Sequence, residues 1–247
     1  MIGNITAGLY HSLFNPKSIA GLILWLDADD SSTITLNGSN VSQWNDKSTS
    51  AYNFTQATAA NQPARTLSGQ NSKTVLTFAT NDFMANTALN WGSSSTTLFI
   101  VGKEDKTGGT SYQNIFTTGT GATGQWGYGI DQNATGDQIA IFDIGQGLAK
   151  FASTMTGTNA DVLCFTSTGI SAGSVPVNLY KNGAADANNT LTATGTTSAA
   201  GAVIGAAAGP TEAYFGTICE ILMYNSVLST TNRNSVESYL KTKWATV

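Results

Sequence analysis

Charge is scarce in this chain. Asp, Glu, Lys and Arg make up only 11% of its 247 residues, where soluble domains usually carry about a quarter. The 11 Lys and Arg are dispersed, and the densest basic pair is Lys241 and Lys243, at the end of an expected helix where cations suit the dipole anyway. Binding to DNA or RNA requires clustered cations that neutralise phosphates, so no nucleic-acid partner is expected. Histidine is scarcer still, with His11 the only one. A Ser-His-Asp site needs a positioned imidazole, and His11 has no apparent partner beside it.

No apolar run is long enough to span a bilayer, so no membrane partner is expected. Residues 1–6 lack the basic start and apolar core of a secretory signal, so export by the ordinary signal-peptide route is not expected from this sequence. Release by lysis fits, and so does a processed chain whose leader has been removed. The two cysteines, Cys164 and Cys219, lie in apolar segments without a nearby His or second Cys. That pattern offers no sulfur-ligated metal site. They are either buried thiols acting as small hydrophobes or, if their strands face one another, a disulfide. Proline is limited to four residues, with no Pro-rich linker to divide the chain, so one main domain is expected.

What the chain does have is 41% hydrophobic residues and 26 glycines. The remaining surface must be built from Ser, Thr, Asn, Gln and Gly. Short apolar, β-prone segments recur at 22–26, 75–78, 96–101, 114–118, 126–130, 138–144, 161–166, 177–181, 202–204 and 217–224, separated by glycine-rich breaks. Lys181-Asn182-Gly183 carries the strongest short hairpin signal. The tract 192–209 is of low complexity and is expected to form a loop and one strand. At the C-terminus Ser229 offers an N-cap oxygen, and Val236, Tyr239, Leu240 and Trp244 follow at helical spacing. Residues 1–18 are set apart as an N-terminal docking arm, and residues 19–247 as one all-β domain closed by a single short helix.

The two ends of that domain resemble a known family. Gly216-x-Ile218-x-Glu220-Ile221-Leu222-Met223-Tyr224-Asn225, with the helix ending Tyr239-Leu240-x-x-Lys243-Trp244, is similar to the closing strand and helix of concanavalin A-like, laminin-G-like jelly rolls. Gly21-Leu22-x-Leu24-Trp25-Leu26-Asp27-Ala28-x-Asp30, then Val41-Ser42-Gln43-Trp44-x-Asp46-Lys47-Ser48, resembles their opening in bacteriophage virion and bacterial surface proteins. Asn178 to Gly183 matches a strand and turn of their second half, and Thr49 departs from a common Gly. The resemblance spans roughly residues 19–245. It implies a two-sheet antiparallel sandwich in which Trp25, Trp44 and Trp244 are core. Fold alone does not settle function.

Three kinds of site follow from residue type. Hydrolases of the family carry paired carboxylates along one strand. Of the four Glu (Glu104, Glu212, Glu220 and Glu237), none pairs by sequence, and Glu220 is expected to be a hydrogen-bonded strand carboxylate. Asp27, Asp29, Asp30 and Asp46 offer hard oxygen ligands on loops, either for calcium or as caps of turns. Trp126 and Tyr128, two apart and flanked by glycines, point to one side of a strand, either as a sugar-binding aromatic pair or as core.

The expected function is therefore a non-enzymatic virion surface component: a capsid decoration, fibre or tail-associated module. It would be held to other virion proteins by residues 1–18, be present in many copies or as a homo-oligomer, and adhere to host or mucus glycans. The alternative is a secreted bacterial carbohydrate-binding module or glycan-active hydrolase. No cofactor is expected beyond calcium.

Overall fold

The computed structural model describes residues 14–91, 94–105, 112–119, 126–132, 137–143, 147–169, 173–193, 201–207 and 211–246. Among them are 17 strands, numbered here in chain order, and one α-helix, α1 (Thr230–Trp244). The strands form two layers. The first contains β1 (Leu22–Asp27), β5 (Ala64–Gln70), β6 (Lys73–Phe78), β8 (Thr96–Glu104), β13 (Asp161–Ser167), β14 (Gly173–Lys181), β15 (Ala184–Ala193) and β17 (Gly216–Tyr224). β17 is its spine, paired with β8 along one side and with β6 then β1 along the other.

The second layer runs from β3 (Asn40–Trp44) through β4 (Phe54–Thr55), β7 (Met84–Asn86), β16 (Ala202–Ile204), β9 (Tyr112–Thr118), β10 (Trp126–Asp131) and β11 (Gln138–Asp143) to β12 (Gly147–Thr154). β2 (Ile34–Asn37) pairs with β3, and an Asn40–Ala64 pairing links β3 to β5, joining the layers at one edge. Every named strand pair is antiparallel. This is the expected all-β sandwich with one C-terminal helix.

Period-two alternation sorts the side chains. Leu98 and Ile100, Leu163 and Phe165 enter the core between the layers, while Phe99 and Val101, Val162 and Cys164 face the other way. That outer set would be left wet without α1, whose Val236, Leu240 and Trp244 are fully buried against it. Burying each such side chain stabilises the domain by roughly 1.5–3 kcal/mol. Ser229 caps the helix, its Oγ accepting from Asn232 N at 3.3 Å. At the far end the β5–β6 turn closes the helix: Gln70 Nε2 donates to Trp244 O at 2.8 Å and Asn71 Nδ2 to Lys243 O at 2.9 Å.

Residues 14–18 of the expected N-terminal arm are described. Its last residues pack on the domain: the Phe14 ring lies 5.7 Å from that of Tyr239, and Tyr224 Oη donates to Pro16 O at 3.1 Å. Residues 1–13, His11 among them, lie outside the described residues.

Candidate functional site

Trp126 and Tyr128 do not present a sugar-binding face. They are 1% and 0% exposed and belong to the inter-layer core. Tyr128 stacks on Phe165 at 4.0 Å between centroids, and Trp126 packs on Trp91 at 4.8 Å. The flanking glycines serve another purpose. A Cβ on Gly129 would come within 1.9 Å of Gln113 O, and one on Gly127 within 2.7 Å of Phe116 O. They let β9 approach β10 closely, and the aromatics between them turn inward.

The four aspartates are engaged by lysines and backbone N–H groups. Asp27 is paired with Lys47 at 2.9 Å and with Lys243 at 2.7 Å; Asp30 with Lys47 at 2.8 Å; Asp29 with Lys73 at 3.0 Å. Asp46 accepts from the backbone N–H groups of Trp25 and Ser48, both at 2.8 Å, and of Tyr52 at 3.0 Å. Calcium would have to displace three lysine ammonium groups and unmake a turn. Among the described residues no group of three or more His, Cys, Asp or Glu is placed to hold a metal ion. The Lys47 hydrogen bond, followed by Ser32, holds Asp30 down to about 2.

Glu220 is the hydrogen-bonded strand carboxylate the sequence suggests. A register shift between Ile218 and Glu220 puts Cys219 out of the alternation, so Glu220 faces α1. Its Oε1 accepts from Trp25 Nε1 at 2.8 Å and Tyr239 Oη at 2.9 Å; its Oε2 accepts from Trp244 Nε1 at 2.7 Å and Lys243 Nζ at 2.8 Å. Burial, and then the Asp27 charge, push this carboxyl up, while Lys243 and Trp244 pull it back. All four lone-pair positions are taken, so the group locks the fold and offers no open valence to a substrate. Cys164 and Cys219 are unpaired, buried thiols, raised by burial.

An open site lies elsewhere, at one end of the first layer. A cleft of about 550 Å³ is lined by the ends of β6 (Thr77, Phe78), β8 (Lys103, Glu104) and β17 (Gly216, Thr217), with Asp105, Phe215 and the 156–158 turn completing its wall. The volume falls within the roughly 300–1,000 Å³ of ligand pockets. Thr217 stands in register between Thr77 and Lys103, and Thr77 Oγ1 shares a 2.6 Å hydrogen bond with Thr66 Oγ1. The result is a cross-strand row of hydroxyls ending at an ammonium group.

Phe215, half-buried, is an apolar element of the cleft and more exposed than Phe78. Its N–H donates to Gln113 Oε1 at 2.7 Å, and its carbonyl accepts from Asp105 N at 2.8 Å. Glu104 is fully buried behind it, and its Oε1 accepts from Gln132 Nε2 at 2.8 Å and from Gln113 Nε2 at 3.5 Å. Hydroxyls, an ammonium, carboxylates and two phenylalanines, Phe78 and Phe215, line a wall that can hydrogen-bond and pack against a polyol. One sequence signal marks it: Lys103-Glu104-Asp105-Lys106 is the longest unbroken run of charge in a charge-poor chain.

No protein-family model and no curated protein matches the chain. Solved structures do. Domain 4 of a GH43 extracellular arabinanase from Geobacillus stearothermophilus, in complex with arabinotriose, is similar at a TM-score of 0.60 and 12% identity, over 89% of this chain and 98% of that one. A Trypanosoma rangeli sialidase carrying 2,3-difluorosialic acid as a covalent intermediate is similar at 0.61 and 15%, over 91% of this chain and 33% of that one. An arabinofuranosidase complexed with arabinofuranosyl-alpha-1,2-xylobiose is similar at 0.59 and 13%, over 90% and 59%. The chain thus spans a third of the sialidase and under two thirds of the arabinofuranosidase.

At such identities the likeness establishes the sandwich fold. It also corrects the expectation of a non-enzymatic protein. The fold is shared with chains named as glycan-cleaving enzymes, so a missing His dyad or carboxylate motif does not exclude glycan chemistry.

Proposed function

We propose that this chain is a carbohydrate-binding sandwich of a glycan-active system, and that it holds sugar in the cleft bounded by Thr77, Lys103, Phe215 and Thr217. The observation that carries this reading is the cleft itself, a ligand-sized opening lined by polyol-binding groups. The similar structures lend support, since the one covering nearly the whole of its own chain is a domain in complex with arabinotriose.

Titration calorimetry with arabino-, xylo- and sialyl-oligosaccharides tests it. A saturable heat with at least one of them is expected, lost or sharply weakened in Phe215→Ala and Thr217→Val. Binding that survives both substitutions would move the site elsewhere, and no binding to any of the panel would end the proposal. Assaying the same mixtures for new reducing ends shows whether turnover accompanies binding.

Where the module works is a separate proposal. Its opening, Gly21 to Asp30, resembles that of bacteriophage virion and bacterial surface proteins, and display in many copies on a particle or a cell surface fits either. Many weak sites on one particle raise avidity by roughly 10²–10⁴ through effective concentration alone. Absence of the protein from purified particles would remove the particle placement and leave the sugar binding untouched.

A further inference from the structure

Most cations of the described residues have a carboxylate. Lys47, Lys73, Lys150, Lys181, Arg233 and Lys243 are all ion-paired. Among the described residues Lys17, Arg65, Lys103 and Lys241 have no ion pair, and of these Lys103 lines the cleft, half-buried, with no side-chain hydrogen bond. In a chain with only 11 Lys and Arg, an unpaired ammonium over a row of hydroxyls stands out.

We infer that Lys103 is the counter-charge for a carboxylate on the bound sugar, so that the cleft prefers acidic glycans, those containing uronic or sialic acid, over neutral ones. The inference rests on the cleft being the glycan site. Lys103 is in register with Thr217, and Thr217 with Thr77. Directly opposed residues of antiparallel strands hold their Cβ atoms about 4.5–5.5 Å apart. A carboxylate laid along this row meets the ammonium at one end and hydroxyl donors beside it.

The two acids that also line the cleft bear on it differently from Lys103. Glu104 alternates to the opposite side of β8 and is held there by Gln132 and Gln113. Asp105 is exposed, where water and salt screen its repulsion of an anion. A partly desolvated ammonium–carboxylate contact is among the stronger hydrogen bonds available to a protein.

The test uses matched pairs that differ in charge: a galacturonate trisaccharide against its methyl ester, and 3′-sialyllactose against lactose. Calorimetry with the full chain at low and physiological salt should show at least one acid binding about tenfold or more tighter than its neutral partner, a size suited to one charged hydrogen bond. That advantage should vanish in Lys103→Gln, survive in Lys103→Arg and shrink with salt. Asp105→Asn should hold or tighten acid binding. Because Lys103 has no partner among the described residues, Lys103→Gln should keep the wild-type melting temperature, which separates lost recognition from lost fold.

Equal binding of acid and neutral forms, or indifference to Lys103→Gln, overturns this inference while glycan binding in the cleft stands. A loss in Asp105→Asn equal to that in Lys103→Gln overturns it as well, because Asp105 would then be a sugar contact. No binding to either pair or to any neutral oligosaccharide overturns both proposals.

Discussion

The indole N–H of Trp244 donates to Glu220 Oε2 at 2.7 Å, which ties the last turn of α1 to the central strand of the sheet beneath it. Trp25, on β1, donates to the other oxygen at 2.8 Å. Two Trp, one Tyr and one Lys thus converge on a single carboxylate through four donors. An ionised carboxylate, which only accepts, fits that set. An amide does not, because its NH₂ faces donors.

Glu220→Gln should therefore be destabilising despite its equal size. Breaking a buried charged network by removing one partner typically costs about 3–5 kcal/mol. Trp244→Ala should cost a similar ~3–5 kcal/mol through lost packing. Urea unfolding followed by tryptophan fluorescence measures both. Wild-type midpoints for the two variants would mean that α1 is not what closes the outer face of the sheet.

The acid limb of stability should trace to the aspartate loops. Asp30 is held down to about 2, first by its hydrogen bond to Lys47 and then by Ser32. Asp29 is lowered too: desolvation opposes the shift, and Thr74 N–H and Lys73 prevail. A carboxyl depressed in the folded state adds stability above its unfolded value near ~4 and loses it as pH falls through the folded value. Melting temperature should drop between pH 4 and 2, and Asp30→Asn should flatten part of that drop. Both groups are partly exposed, so each contributes within ~1 kcal/mol. An unchanged acid limb in Asp30→Asn would show that the Lys47 pairing is energetically silent.

The sequence announced the strands that are buried and hid those that are not. β8, β13 and β17 are buried almost throughout and carry the short apolar runs Leu98–Val101, Val162–Phe165 and Ile221–Tyr224. β2 is mostly exposed and only four residues long, and β5 is half-exposed with no apolar alternation, so neither gives the signal that betrays a strand. The α1 face was legible because Val236, Leu240 and Trp244 keep helical spacing. The cleft was not, because its wall comes from three strand ends and a turn that meet only when β17 lies between β6 and β8. Trp126 and Tyr128 misled for a related reason. Alternation says that two residues share a side, but not which side is the core.

Glycine substitutions should separate close approach from backbone freedom. Gly129→Ala would drive its Cβ to within 1.9 Å of a β9 carbonyl oxygen, and backbone cannot yield as a flexible side chain does. It should cost ~3 kcal/mol or more, at the upper end of overpacking. Gly38 has φ +65° with nothing within 4 Å of an added Cβ, so Gly38→Ala should cost only the left-handed penalty of roughly 1–2 kcal/mol. Equal losses in the two variants would mean that β9 and β10 are farther apart than their ladder indicates.

Tyr128 and Phe215 should behave as opposites. The Tyr128 hydroxyl is buried in the aromatic core with no hydrogen-bond partner, and burial raises its pKa well above the ordinary value. A hydroxyl buried without a partner costs about 1–3 kcal/mol. Tyr128→Phe keeps the ring stacked on Phe165 and removes that cost, so the variant should unfold at higher urea than wild type with sugar affinity unchanged. Phe215 lines the cleft and is only half-buried. Phe215→Ala should thus lower stability modestly, by ~1–2 kcal/mol, and abolish most of the sugar binding. Paired denaturation and calorimetry on the two variants read both quantities. A destabilised Tyr128→Phe would reveal a buried water serving the hydroxyl. A Tyr128→Phe variant that lost sugar affinity would return recognition to the β10 aromatics and away from the cleft.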